Sequence, residues 1–303
     1  MRYRESGRLD TSGVQDRRGM GGGRGLAVGG GGLGLVGVLV LVLFQVLGGG
    51  GSSGTGAALG QLGSLGSGET AHNEELAQEC QTGADANESV DCAVVADIDS
   101  IQDYWSGVLG DRYVPSDTVF FSGSVQTACG GATSGSGPFY CPGDRLVYID
   151  LSFFDQLQQQ FGAEGGPFVN AYVLAHEYGH HVQDLLGTNQ QVTPGETGAE
   201  SGSVRLELQA DCYAGVWADH AETVPDESGE PLISEITQDD IDRALDAASR
   251  IGDDFIQRNL GSGTVDQDSF THGSSEQRQR WFSTGYESGD PAACDTFGTD
   301  DLG

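Results

Sequence analysis

An α+β fold, mostly helical with a small sheet and preceded by one N-terminal transmembrane helix, is what this 303-residue sequence predicts. Two short runs rich in β-branched and aromatic residues, at 118–121 and 146–151, precede nearly all of the helical periodicity. Apolar positions then recur at helical spacing through 153–161, 168–186, 204–220, 238–258 and 275–286. Ahead of them, residues 26–47 carry no charge at all. Strands that precede helices in this way suit a small sheet laid over a helical bundle.

Residues 1–24 hold six arginines against three acids, and a Gly-rich stretch begins at Gly19. By the positive-inside tendency they read as a basic cytoplasmic tail. Residues 25–48 follow, with a dense apolar core at 33–47. About 20 apolar residues cross a bilayer, and the stretch reaches that length when its glycines are included, as a short or tilted transmembrane helix. A cleaved signal peptide is the rival reading, but no small-x-small site follows. Residues 49–70, nearly all Gly, Ser, Ala and Leu, read as a flexible linker. That leaves 71–303 as one domain, extracytoplasmic on a single-pass protein of the cell membrane. The 37% hydrophobic content is enough for a sizeable core there.

From residue 49 onward there are eight arginines against 42 acids and no lysine, a formal surplus of 34 negative charges. Such a surface disfavours nucleic acid and anionic lipid as partners, and its self-repulsion is relieved by salt. The pairs Asp239-Asp240 and Asp253-Asp254 read as solvated faces, because no Asp-x-Asp-x-Asp-Gly calcium loop surrounds them. Six cysteines in a segment expected to be external predict disulfides. Of the fifteen possible pairings, the sequence-near Cys80–Cys92 and Cys129–Cys141 are favoured, leaving Cys212 with Cys294. No Cys-x-x-Cys is present to suggest a structural zinc.

The chemistry is concentrated in 173–182, where His176-Glu177-Tyr178-Gly179-His180 lies inside a helical apolar pattern. Residues four apart share a helix face, so the two imidazoles can point at one metal ion. Glu177 projects beside that ion, placed to take a proton from a zinc-bound water and deliver it to a leaving amine. A glycine inside a helix costs about 1 kcal/mol, so Gly179 implies close approach by another element or by substrate. A catalytic zinc takes three protein ligands and keeps a fourth position for water. Glu207, in a second strongly apolar helical pattern, is the best third ligand, and Asp211 one turn on can accept the outer N–H of a ligating histidine. The bland reading is two solvated acids, against which stand Leu206, Leu208, Ala210, Cys212, Tyr213 and Val216 around them.

The motif pair, His176 to His180 with Glu207-Leu208-Gln209-Ala210-Asp211, is similar to that of zinc peptidases whose third ligand lies in a Glu-x-x-Ala-Asp helix. More closely, the chain resembles the bacterial family of membrane-anchored neutral zinc metallopeptidases. The resemblance extends to Val14-Gln15-Asp16-Arg17-Arg18, Gly137-Pro138-Phe139-Tyr140-Cys141-Pro142, 147–154 and 271–282. It implies a zincin-like domain with one Zn2+ per chain acting on a protein or peptide substrate. In related peptidases a Thr-His-x-x-x-x-x-Arg segment lies near the active site, and Thr271, His272 and Arg278 reproduce its spacing. His272 could then donate to an oxyanion, while Ser274 or Ser275 with Gln277 or Arg278 also reads as an ordinary helix start. In zincins a sheet edge pairs with extended substrate, and 147–151 is a candidate edge or else a core strand. Two alternatives to the peptidase stay open: a non-catalytic, zinc-stabilised surface module of chaperone type, and a zinc amidase acting on cell wall. An intact Glu177 favours an enzyme, because a purely structural site has no use for a general base.

Overall fold

The computed structural model describes residues 1–19, 73–226 and 228–303. In chain order the main elements are β1 (Arg2–Tyr3), β2 (Val14–Asp16), α1 (Asn73–Glu79), α2 (Gly83–Glu88), α3 (Val90–Leu109), β3 (Thr118–Phe120), β4 (Ser124–Thr127) and β5 (Gly130–Thr133). There follow β6 (Phe139–Cys141), β7 (Leu146–Ile149), α4 (Ser152–Gln159), α5 (Pro167–Leu186), α6 (Gly202–His220), β8 (Ile233–Glu235), α7 (Gln238–Arg250), α8 (Asp253–Asn259) and α9 (Ser275–Ser288). The architecture is α+β, with a four-stranded sheet of order β2-β3-β7-β6 beside a helical core. The strands β2, β3 and β7 run parallel, with Val14 opposite Thr118 and Thr118 opposite Val147; β6 closes the sheet antiparallel to β7.

Local sequence explains the helices that build the core. Pro167 begins α5, where a fixed φ and a missing N–H cost nothing, and Gly187 ends it in the left-handed conformation at φ 76°. Ser201 caps α6 by accepting from the Val204 N–H. Both helices are buried along most of their length, polar residues included, so both lie inside the protein rather than on it. Their crossing explains Gly179: a Cβ there would sit 3.0 Å from Ala210 Cα. At the α6–α9 crossing, a Cβ on Gly285 would overlap the Cys212 carbonyl. The pattern at 238–258 reads as one helix but is two, broken at Gly252, where a Cβ would lie 2.5 Å from the Ser275 amide.

Three disulfides, Cys80–Cys92, Cys129–Cys141 and Cys212–Cys294, join α1 to α3, the β4–β5 turn to β6, and α6 to the C-terminal segment. The last spans 82 residues of sequence and so restricts the unfolded chain most.

Two expectations about the N-terminal region are corrected. Residues 1–18 are not a tail separate from the domain, because they are built into it. β1 pairs with β8, and β2 is a strand of the main sheet beside β3. Tyr3 and Val14 are buried. The Tyr3 hydroxyl donates to Asp97 Oδ1 at 2.8 Å, and the Asn73 side chain bonds the backbone of Val14 and Asp16. Two of the arginines pair with acids of the domain: Arg4 with Asp226 at 2.5 Å, and Arg18 with Asp16 and Asp91 at 2.6 Å each. The transmembrane helix expected at 25–48 lies outside the described residues, and among those described no helix is long and apolar enough to cross a membrane.

The helix α3 escaped the sequence reading because four acids, Asp91, Asp97, Asp99 and Asp103, interrupt its apolar pattern. Asp97 is nevertheless fully buried, and among the described residues its Oδ2 has no hydrogen-bond partner. Burial holds its carboxyl well above the usual carboxylate range, opposed only in part by the hydrogen bond from Tyr3. The folded protein therefore keeps a proton that the unfolded chain releases above about pH 4. Stability from this group is full below that pH and is lost as pH rises toward the folded pKa. Asp97→Asn retains an acceptor for Tyr3 and is expected to raise the thermal midpoint more at pH 7 than at pH 4. A gain that does not grow with pH would show that Asp97 is charged in the folded protein.

Candidate metal centre

On α5, His176 and His180 stand one turn apart, and the crossing at Gly179 and Ala210 brings the first half of α6 against them. Glu207 Oε2 comes within 3.2 Å of His176 Nε2, and its Oε1 within 3.5 Å of His180 Nε2. The three ligand atoms lie within 4.8 Å of one another. Two imidazole nitrogens and one carboxylate are a donor set suited to a catalytic zinc with a fourth position left open.

Asp211, four residues beyond Glu207, is completely buried. Its Oδ1 lies 2.9 Å from His176 Nδ1 and accepts from the Tyr172 hydroxyl at 2.6 Å. Arg278 donates to both carboxylate oxygens, at 2.8 and 2.9 Å. Burial is the largest influence on Asp211 and raises its pKa, but Arg278 and His176 outweigh it and bring the value down to about 2. An ionised Asp211 can only accept, so His176 carries its proton on Nδ1 and turns Nε2 toward Glu207. Burial likewise works against a charged His176, yet Asp211 and Glu207 together lift its pKa to about 10. Two carboxylates around one imidazole make a place that calls for positive charge, and this supports its fitness for a divalent ion.

Glu177 is buried and lines the same cavity as the three ligands, a space of about 610 Å³. His272 lines the same cavity. Its Nδ1 is 2.9 Å from Thr271 Oγ1 and 3.5 Å from Asp253 Oδ1. Burial lowers the His272 pKa, but Glu207 and Asp253 overcome this and raise it. Asp253 corrects the reading of its pair as a solvated face: it is buried, and its Oδ2 accepts the backbone N–H groups of Thr271, His272 and Gly273 at 2.7, 2.7 and 3.0 Å. It holds the whole His272 loop, a role that a separation of 19 residues hides from any local pattern. The helix-start reading of this segment also holds, since Ser274 and Gln277 form a capping box on α9.

The strand at 147–151 is likewise corrected as an edge. β7 is paired on both sides, with β3 and β6, whereas β6 is an outer strand, and its Phe139 and Tyr140 line the cavity. Asn189, from the loop between α5 and α6, reaches the cavity wall. The local sequence held signals for two further residues that were not read: Tyr172 stands four before His176, and Gln183 three after His180, both on the ligand face.

A family described as "putative neutral zinc metallopeptidase" matches this sequence over residues 1–297. The chain belongs to that family. The match includes the N-terminal strands, in keeping with their place in the domain. Zinc is accordingly the metal that the His176, His180 and Glu207 group is fitted to hold. An uncharacterized protein of Mycobacterium tuberculosis is 51% identical over 226 residues, covering 74% of this chain and 76% of its own length. Uncharacterized protein YpfJ of Escherichia coli is 38% identical over 307 residues, covering 97% of this chain and 99% of its own. No solved structure matches the chain.

Proposed function

We propose that the protein is a zinc-dependent peptidase that cuts extended polypeptide at a bond placed between Glu177 and His272. The observation that carries the reading is the meeting of His176, His180 and Glu207 with Glu177 on the wall of one open cavity. Zinc bound there supplies Lewis acidity, which polarises a carbonyl and acidifies water. Glu177 takes the proton of the attacking water and returns it to the departing amine nitrogen. His272, kept protonated to higher pH by Glu207 and Asp253, donates to the oxygen on which negative charge develops. Asp211 and Arg278 hold His176 in the tautomer that presents Nε2.

The outer strand β6 offers its backbone to a substrate strand beside the metal group. Phe139, Phe153, Phe161 and Ile256 on the cavity wall favour a bulky apolar side chain next to the cut bond. The three disulfides support work in an oxidising compartment outside the cytoplasm. The acidic surface argues against nucleic acid as a partner.

The first test is metal content. Purified full-length protein is expected to hold about one zinc per chain and to cleave an unfolded protein substrate, with cleavage lost to a chelator and restored by zinc. Glu207→Ala, which removes the only carboxylate of the ligand group, should lose most of that zinc. Folded, unaltered protein without zinc would remove the peptidase reading.

A further inference from the structure

The outer nitrogens of the two ligating histidines are treated differently. His176 meets the charged Asp211, whereas His180 Nδ1 meets the side-chain oxygen of Gln183 at 2.9 Å. Gln183 is 1% exposed and three residues further along the same helix. Its amide nitrogen is 2.7 Å from the Leu206 carbonyl and 3.1 Å from Gln209 Oε1, and Gln209 in turn donates to the Cys294 carbonyl at 2.9 Å.

A backbone carbonyl can only accept, so the Leu206 carbonyl fixes which end of the Gln183 amide is which. The NH2 group must face Leu206, and the oxygen must therefore face His180. That oxygen can only accept, so His180 carries its proton on Nδ1 and presents Nε2 to the cavity. The same amide ties the ring of the second ligand to the peptide immediately before the third ligand, Glu207. Gln209 holds the amide from the far side and is itself moored at Cys294, which the Cys212–Cys294 disulfide fixes to α6.

From this geometry we infer that Gln183 is a positioning residue for the metal centre, setting the tautomer of His180 and its spacing from Glu207, with Gln209 as its support. The inference rests on the zinc reading of the site. It is tested by zinc affinity, measured on the full chain by competition with a chelator, together with the thermal midpoint of the metal-free protein. Gln183→Met keeps the side-chain length and removes both polar ends; it is expected to weaken zinc binding about 10–100-fold, the usual cost of losing a partner of a ligating histidine. Gln183→Glu keeps an acceptor for His180 and loses the donor bonds to Leu206 and Gln209, so it should weaken zinc binding less than Gln183→Met does while lowering the metal-free midpoint. A merely structural Gln183 would lower the midpoint in both variants and leave affinity unchanged, which would overturn the inference. Should Gln183→Met not fold, Gln209→Leu decides, since it loosens the Gln183 amide and touches no ligand: weaker zinc binding supports the inference, and unchanged affinity overturns it. Absence of zinc from the unaltered protein would sink the underlying reading, whereas equal affinity in all folded variants would sink this inference alone.

Discussion

Glu177→Gln is expected to leave zinc content unchanged and to lower peptide hydrolysis by about 10²–10⁴-fold, the range that a positioned general base contributes. The substitution is nearly isosteric and stays outside the group formed by His176, His180 and Glu207, so the ligand set is intact. What it removes is the capacity to accept a proton from water, because an amide oxygen is far too weak a base at neutral pH. Turnover of an unfolded protein by the zinc-loaded variant is the measurement, with metal content determined on the same sample. Hydrolysis at the rate of the unaltered protein would sink the assignment of Glu177. His272 would then be the candidate base, as it lines the same cavity.

Deletion of residues 1–18 is expected to cost most of the stability of the domain. Tyr3 and Val14 are fully or nearly fully buried, and each large side chain of that kind contributes about 1.5–3 kcal/mol. Loss of β2 exposes the edge of β3, whose hydrogen-bonding groups then face water or another chain. Asp97 loses its hydrogen bond from Tyr3 and stays buried, which adds about 1–3 kcal/mol for an unsatisfied polar group. Together these reach a large part of the 5–15 kcal/mol typical of a whole domain. A chain lacking residues 1–18 should therefore have a much lower urea midpoint and a tendency to associate, and added peptide 1–18 should restore part of the loss. An unchanged midpoint would show that the arm is dispensable.

The metal centre was legible where its geometry is helical. His176 and His180, and Glu207 and Asp211, are pairs four residues apart, and that spacing means one shared face wherever the helix goes. The apolar surroundings of Glu207 marked it as inside, and Gly179 marked a crossing before the partner helix was known. Even the cysteine pairs followed from proximity along the chain, once two short loops had been closed.

Other features depend on contacts between distant segments, and composition pointed away from several of them. Six arginines near the N-terminus look like a tail until Arg4 and Arg18 are seen pairing with Asp226 and Asp91 of an acidic domain. Asp253 and Asp97 look solvated, because a charge is ordinarily outside unless something distant satisfies or neutralises it. For Asp253 that something is three backbone N–H groups some twenty residues further on. β7 becomes an inner strand, with β6 at an edge, only when the distant β3 pairs along its other side. Local spacing along a helix is set by covalent geometry and hydrogen bonds within a single turn, so the sequence alone was enough to bring the candidate ligand residues together. Which charge is buried, which strand is left unpaired and which amide holds His180 depend on free energy released between segments far apart in the chain, and only the folded structure decided them.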